Sequence, residues 1–391
     1  MFAVLSATRK TFARLALFLS VLWVTACQPV SLSNIGDGII PGNAVPVALL
    51  VPHGSASSQE QKLARDLENA ARLAVSDLQG VQIDLRVYST AGNAGRAQAA
   101  ALEAVEDGAR IIIGPLHAES ANAVAVAVAN KGVNVLAFSN NATIAGGNLF
   151  ILGQTFQNTA NRLARYSIRN GKNKILTVYS NNLAGELGRQ AIQQAVSASG
   201  GTNAGSVGYE FSQNGVVSAV PQITSAAAAN GANAIFLTSN AAGALPLFTQ
   251  MLPEAGLSKD EIQYIGLSRW DTPSQTLSLP GVQGGWFAMP DPTRTSQYQS
   301  RFSASFGETP HPLSGLAYDG IAAVGALASS RNSGALSRAA LTQSAGFQGV
   351  TGVFRLLPNG SNERGLAVAT IINNQVSIVS PAPQGFGAAG F

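Results

Sequence analysis

The chain has 391 residues, of which 46% are hydrophobic and 11% charged, a composition that excludes a disordered chain and is compatible with two domains. Its formal net charge of +4 includes Arg9, Lys10 and Arg14, which we expect to be removed with a leader. Without these three, the 24 basic residues fall to 21 against 20 acidic ones. A nearly neutral surface argues against nucleic-acid binding.

The N-terminus has the organisation of an export signal. Basic residues precede an apolar run at 15–24, which is too short to span a bilayer. The run ends in Val24-Thr-Ala-Cys27, which resembles the bacterial lipobox, and Cys27 is the only cysteine. The alternative is an uncleaved membrane helix with an incidental cysteine.

We therefore interpret residues 1–26 as a lipoprotein signal peptide and Cys27 as the lipidated residue. Residues 27–44 are rich in Ser, Gly, Asn and Pro and are predicted to form a flexible tether. An exported chain with one cysteine has no internal disulfide. Gln28 after the cysteine favours the outer membrane, by the sorting rule of enterobacterial lipoproteins. The expected location is the periplasmic face of the bacterial envelope.

Strands and helices alternate from residue 45 onward. The first predicted strands are 45–51, 81–88, 111–113, 133–138 and 150–153, with helices at 59–78, 96–107 and 120–131. A second series has helices at 158–170, 187–199, 216–230 and 244–255, and strands at 174–179, 207–211, 234–237 and 263–266. This alternation predicts an α/β protein with parallel sheets covered by helices on both faces.

The pattern changes after residue 281. Here the predicted strands are 284–289, 352–356, 365–373 and 375–379, and the predicted helices are 296–306, 313–328 and 336–343. The last two strands are expected to pair through Asn373-Asn374. Residues 381–391 form a Pro, Gly and Ala tail that is predicted to be loose.

Seven segments, taken in their order and spacing, resemble one family. They are 108–116 (GARIIIGPL), 138–140 (FSN), 284–288 (GGWFA), 316–319 (LAYD), 346–350 (GFQGV), 354–360 (FRLLPNG) and 363–366 (ERGL). The resemblance is to the leucine-binding-protein family, which has the type I periplasmic-binding-protein fold, and more narrowly to penicillin-binding protein activator lipoproteins. It covers about residues 45–379.

The resemblance implies two Rossmann-like lobes joined by a hinge with several crossovers. Lobe one is expected to comprise 45–154 plus about 271–356, and lobe two about 155–270 plus 363–380. In open α/β sheets, ligands lie outside the carboxyl ends of the strands. The loops after strands 111–113 and 133–138 are therefore the expected ligand site.

The first lobe offers polar side chains in these loops. By resemblance to amino-acid receptors, the candidate ligand-binding residues are Ser120, Ser139, Asn140, Asn141 and Thr143. Their hydroxyl, amide and backbone N–H groups suit a carboxylate. The alternative is that these side chains only cap helices.

The second lobe departs from the receptor pattern. Ala184 stands where receptors carry a stacking Tyr. Asp271, beside Trp270, lies close to where receptors place an acid for the ligand's ammonium group, and both are candidate ligand residues. Asp271 has the alternative of pairing with Arg269. His117 is also foreign to the receptor loop.

No catalytic constellation is visible. The three histidines, His53, His117 and His311, lack metal-ligand spacing, and there is no nucleophile elbow, P-loop or dinucleotide fingerprint. We expect a non-enzymatic protein without a metal or cofactor.

Two functions remain open. The first is a lipid-anchored regulator of peptidoglycan synthesis that contacts a penicillin-binding protein, although the helical-repeat domain that precedes this fold in the enterobacterial activator is missing here. The second is a solute receptor of an ABC-type importer that binds an amino acid or related small molecule in the interlobe cleft. In both, the membrane is contacted through the lipid anchor.

Overall fold

The structure is a computed structural model that describes residues 43–330, 332 and 334–387. Cys27, the predicted signal peptide 1–26, most of the predicted tether 27–44 and the last four residues of the tail lie outside the described residues. The described part belongs to one compact unit, Ile39–Phe391. Within it, no helix combines the length and apolar character that a membrane span requires.

The first lobe contains a sheet of five parallel strands. These are β1 (Val45–Val51), β2 (Ile83–Ser89), β3 (Ile111–Ile113), β4 (Asn134–Ala137) and β5 (Leu149–Ile151), in the order β2-β1-β3-β4-β5. Helices α1 (Ser58–Asp77), α2 (Ala94–Glu106) and α3 (Ala118–Val128) connect them. Leu49 belongs to one apolar core and Leu50 to another, because successive side chains of β1 point to opposite covered faces. Strands β3 and β4 are parallel neighbours, so the two loops expected to form the ligand site lie at the same edge of the sheet.

The second lobe contains a seven-stranded mixed sheet. Its strands are β6 (Lys174–Ser180), β7 (Thr202–Tyr209), β8 (Ala234–Leu237), β9 (Gln263–Gly266), β10 (Trp286–Met289), β14 (Ala367–Ile372) and β15 (Gln375–Ser380). They lie in the order β15-β14-β10-β9-β8-β6-β7, and the predicted pairing of the last two strands is confirmed. The helices are α4 (Phe156–Arg169), α5 (Leu183–Ala198), α6 (Gln213–Asn230) and α7 (Leu245–Glu254).

Between β10 and β14 the chain packs on the first lobe. It forms helices α8 (Pro292–Phe306), α9 (Gly315–Ala328) and α10 (Arg338–Leu341), and a small antiparallel sheet of β11 (Phe347–Gly349), β12 (Gly352–Leu356) and β13 (Asn362–Arg364). Phe302 and Ile321 share a buried core with Leu67 of α1. The sequence analysis missed β11 and β13, because strands of three residues carry too few side chains to show a period.

The predicted return to lobe one near residue 271 is too early. Strand β10 pairs in parallel with β9 and antiparallel with β14, so the chain stays in the second sheet until Met289. Trp270, Val282 and Phe287 lie in the same apolar core as the rest of that lobe. Burial of these large side chains against the second sheet keeps the segment there.

The described part of the tail is not loose, contrary to prediction. Gln384 donates from Nε2 to Asp291 Oδ2 at 3.1 Å. The guanidinium of Arg355 lies 4.7 Å from the ring centre of Phe386. These contacts hold residues 381–387 against α8 and β12, and composition alone did not indicate them.

The chain passes between the lobes at residues 152–155, 290–291 and 365–366, which we call the hinge region. A buried ion pair ties this region to the first lobe. Asp319 of α9 accepts hydrogen bonds from the backbone N–H of Val350 at 2.8 Å and from Arg364 at 3.0 Å. A third donor, the Thr351 hydroxyl, lies 3.2 Å away, and Arg364 also donates from Nε to the carbonyl of Leu152 at 2.8 Å. Burial raises the pKa of Asp319, and the guanidinium of Arg364 opposes that shift.

We predict that Arg364→Met lowers the free energy of unfolding by about 3–5 kcal/mol, since it leaves a carboxylate buried without its cation. Without the guanidinium, burial is opposed only by the hydrogen bonds from Val350 and Thr351, so the raised pKa of Asp319 makes the folded variant bind more protons than the unfolded chain. Its stability should therefore fall as pH rises above about 4. Urea denaturation across pH checks both effects.

The matched control is Arg355→Met. Arg355 pairs with Glu363, and both side chains are only partly buried, so its loss should cost about 1 kcal/mol or less. Equal losses in the two variants would contradict the role of the buried pair.

Candidate functional site

The candidate site consists of the loops that follow parallel strands in both lobes. In the first lobe, the loop after β4 has a defined internal structure. Ser139 is buried, and its Oγ accepts the N–H of Asn141 at 3.1 Å. Asn141 Oδ1 accepts from the backbone N–H of Thr143 at 3.0 Å and from its hydroxyl at 2.8 Å. The capping alternative therefore describes Asn141, while Asn140 is exposed at the sheet edge.

Helix α3, which follows β3, presents an uncapped N-terminus at the same edge. Its N-cap residue is His117, which makes no side-chain hydrogen bond to the first turn. By contrast, Ser57 caps α1 and Asn93 caps α2. Ser120 lies in the first turn of α3 and is buried. The free N–H groups of this turn favour an anion.

A carboxylate near these loops is already engaged. Glu60 accepts from the Ser55 hydroxyl at 2.6 Å and lies 3.1 Å from His117 Nε2. Gly92 packs beside it, since a Cβ there would lie 2.8 Å from Glu60 Oε2. From the sequence, His117 was noted only as a departure from the receptor loop, and Ser55 and Glu60 were not predicted. The polar loops after β1 and β2 could have indicated these two residues.

In the second lobe, Trp270 is not available to a ligand. It is fully buried between two glycines, because a Cβ at Gly266 would lie 2.1 Å from the indole Nε1 and one at Gly285 would lie 1.9 Å from the ring. The prediction that Trp270 contacts a ligand is therefore wrong. The glycines have no side chains, and this leaves room for a tryptophan in the core.

Asp271 is paired within its own loop. Arg269 Nε donates to Asp271 Oδ1 at 2.8 Å, and a second guanidinium nitrogen bonds to Oδ2. A bidentate pair of this kind satisfies both carboxylate oxygens. The alternative that Asp271 pairs with Arg269 is therefore the arrangement in the structure, and the acid is not free for an ammonium group.

Two side chains that sequence reasoning missed follow strand β8. The hydroxyl oxygens of Thr238 and Ser239 are buried and have no hydrogen-bond partner in the described part of the chain. Ser268 in the neighbouring loop donates its hydroxyl to the carbonyl of Ser239 at 3.0 Å. Buried polar atoms without partners are uncommon and require an explanation. Applying the strand-end rule to β8 as well as to β4 would have found them.

Apolar side chains are exposed at the same edge of the second sheet, where the parallel strands β6, β7 and β8 end. Leu183 after β6 is 76% exposed, and Phe211 after β7 is 66% exposed. Phe211 also borders a pocket of about 430 Å³, whose walls include Tyr209 and Leu247. Burial raises the pKa of Tyr209, so its hydroxyl stays protonated. This pocket suits the hydrocarbon part of a small molecule.

No metal centre accompanies the site. In the ranges that the structure describes, no three His, Cys, Asp or Glu side chains are grouped closely enough to hold a metal ion.

Comparison with solved structures identifies the fold. The chain is similar to a putative branched-chain amino acid ABC transporter protein from Rhodospirillum rubrum, at 17% identity and a TM-score of 0.73, covering 86% of this chain and 100% of that one. It is also similar to the leucine-binding protein LivK from Thermotoga maritima, at 15% identity and a TM-score of 0.56, covering 87% and 99%.

A third similar structure is a solute-binding protein from R. palustris in complex with benzoate, at 18% identity and a TM-score of 0.54, covering 89% of this chain and 99% of that one. A search of curated proteins finds no significant match. These likenesses confirm the predicted α/β type I periplasmic-binding-protein fold.

The family model described as "Periplasmic binding protein" matches residues 44–375, which is most of the chain. Members of this family bind solutes and are not enzymes, so the prediction of a non-enzymatic protein is confirmed. The chain belongs to the periplasmic binding protein family.

Proposed function

We propose that this protein is a solute receptor for a small organic carboxylate, held in the cleft between the two lobes and delivered to an ABC-type importer. The observation that carries the proposal is the pair of buried hydroxyls of Thr238 and Ser239 at the carboxyl end of β8, which have no partner among the residues that the structure describes. Ligand oxygens are the partners that such hydroxyls lack. The similar structures from ABC transporters support the same class.

The charges in the site favour a carboxylate over an amino acid. The first turn of α3 offers N–H groups without a side-chain cap, which suits an anion. The acid nearest the receptor ammonium position, Asp271, is bound by Arg269. The similar solute-binding protein from R. palustris is in complex with benzoate, an acid without an ammonium group, which supports this choice.

The hydrocarbon part of the solute fits the second lobe. Phe211 lines the pocket of about 430 Å³, and Leu183 is exposed in the loop after the neighbouring strand β6. Enclosing them against an apolar ligand contributes about 25 cal/mol for each Å² removed from water. In this proposal, Ser139, Asn141 and the α3 N-terminus orient the carboxylate.

A second function, regulation of a peptidoglycan synthase, is favoured by one observation. The engaged Asp271 resembles a receptor site that has lost amino-acid binding. In this reading the protein contacts a penicillin-binding protein. The test is an affinity column that carries the purified protein. If a penicillin-binding protein is retained on it and calorimetry shows no response to any carboxylate, the regulator is favoured over the solute receptor.

We also propose that Cys27 carries the lipid anchor in either function. The support is the lipobox-like sequence before Cys27. Gln28 after the cysteine favours the outer membrane, which suits the regulator, whereas delivery to an importer requires an anchor in the inner membrane. Cells fed labelled palmitate should yield labelled protein, and Cys27→Ser should abolish the label. A labelled Cys27→Ser protein would refute the assignment.

We predict that Thr238→Val weakens carboxylate binding about tenfold or more while leaving the free energy of unfolding unchanged or higher. Removing an unpaired buried hydroxyl relieves a desolvation cost in the free protein but deletes a ligand hydrogen bond. Calorimetry with benzoate and 4-methylpentanoate measures the affinity, and urea denaturation the stability.

Thr177→Val provides the matched control. Thr177 also has a buried hydroxyl without a partner in the described part of the chain, but it lies in the middle of β6, away from the strand end. Its affinity for carboxylates should match that of the unmodified protein. If both variants lose affinity equally, the loss is not caused by a ligand contact at β8.

We further predict that 4-methylpentanoate binds about tenfold or more tightly than leucine, which differs from it by the α-ammonium group. With Asp271 engaged, that group is buried without an acceptor. Competition calorimetry compares the two solutes directly. Tighter binding of leucine, lost in Asp271→Ala, would instead assign an amino-acid receptor.

A further inference from the structure

An arginine-lined groove lies between helix α4 and the chain around residues 363–366. Arg162, Arg165 and Arg169 of this helix are separated by three and four residues, so they share one helix face. Glu363 and Arg364 of β13 form part of the opposite wall, and the lining is completed by Asn158, Asn161, Leu366 and Pro383.

The positive charge of this groove is not neutralised by its neighbours. Arg162 is partly buried. Its acceptors among the described residues are neutral: the carbonyl of Leu366 at 2.6 Å, the hydroxyl of Ser380 at 2.7 Å, and the carbonyls of Pro381 at 3.1 Å and Ser380 at 3.4 Å. Burial lowers the pKa of Arg162, and the charges of Arg169 and Arg165 lower it further. A cation in this position is stabilised by an anion.

The acidic residue that lines the groove, Glu363, is already paired with another arginine. Glu363 accepts from Arg355 Nε at 2.6 Å, and the neighbouring Arg364 is paired with Asp319. Within residues 43–330, 332 and 334–387, neither Arg165 nor Arg169 takes part in a salt bridge. The groove therefore presents two arginines whose charges are available to a ligand.

The dimensions of the groove limit what enters it. It offers about 20 Å³, space for one or two water-sized atoms. The second-lobe pocket of about 430 Å³ is far larger. An organic solute does not fit the groove, whereas one or two oxygens of a phosphate group do, with the remainder of the molecule outside.

We propose that Arg165 and Arg169, with the Arg162 face of α4, form a binding site for a terminal phosphate group at the hinge. Guanidinium groups recognise phosphate through two parallel hydrogen bonds, which requires a ligand with several oxygens on one atom. The phosphate belongs either to a free inorganic ion or to a phospholipid headgroup.

The site lies beside two segments in which the chain passes between the lobes. Helix α4 begins directly after the chain leaves β5, and Arg364 to Leu366 lead the chain back into the second sheet. A phosphate held between these segments therefore bridges a helix of the second lobe and the strand that returns to it. Binding should raise the melting temperature of the protein.

The test is calorimetry of the purified full chain with inorganic phosphate and pyrophosphate at low ionic strength. The proposal expects saturable binding that weakens at least tenfold in the double variant Arg165→Ala/Arg169→Ala. Arg162 is left intact because its hydrogen bonds hold β15, and unchanged melting of the double variant without phosphate shows that it folds.

The matched control is Arg96→Ala/Lys131→Ala, which removes the same charge from exposed positions on the first lobe. Its phosphate affinity should equal that of the unmodified protein. Equal weakening in both double variants would show a general charge effect and overturn the proposal, as would the absence of saturable binding.

Vesicle flotation distinguishes the two sources of phosphate, using a Cys27→Ser background so that a lipid anchor does not contribute. Binding to vesicles that contain phosphatidic acid, whose phosphate is terminal, but not to phosphatidylcholine alone, with loss in the arginine variant, assigns the headgroup. Binding of inorganic phosphate without vesicle binding assigns the free ion. Vesicle binding that survives in the arginine variant counts against the groove.

Discussion

The buried ion pair between Asp319 and Arg364 is the interaction on which the arrangement of the hinge region depends. It gathers α9, the turn between β11 and β12, and β13 around one carboxylate. The same guanidinium reaches the carbonyl of Leu152, where the chain leaves the first sheet. Because an isolated buried charge is costly, these segments hold together as a set. The lobes are thereby joined at a fixed place while their strand ends remain available.

The acids near the strand ends are engaged, and this shapes what the cleft accepts. Glu60 is held by Ser55 and His117, and Asp271 by Arg269. Hydroxyls and helix N–H groups remain, which favours solutes rich in acceptors. The arginines of α4 line a second, smaller and more positively charged groove. The proposed solute site and the proposed phosphate site differ in size and in cation content, so we expect them to select different anions.

Much of the fold could be predicted from the sequence, because buried parallel strands and amphipathic helices have distinct hydrophobic patterns. The bounds of β1, β3, β8 and β9 agree with the sequence prediction to the residue. The error near residue 271 has a physical origin. A strand such as β10 carries no mark of the sheet that it joins, because that choice depends on which distant core buries Phe287. The ordered tail was hidden for the same reason, since its partners are distant in sequence.

The sequence by itself determined the α/β class and the location of polar loops after β3 and β4, because these follow from local patterns. The periodic pattern did not indicate the family, which came from the resemblance of several segments to known sequences. Only the tertiary structure decided which side chains are free. It buried Trp270 between two glycines, closed Asp271 with Arg269, and left Thr238 and Ser239 without partners. Hydrogen-bond satisfaction depends on residues that meet through folding, whereas periodicity depends on neighbours along the chain.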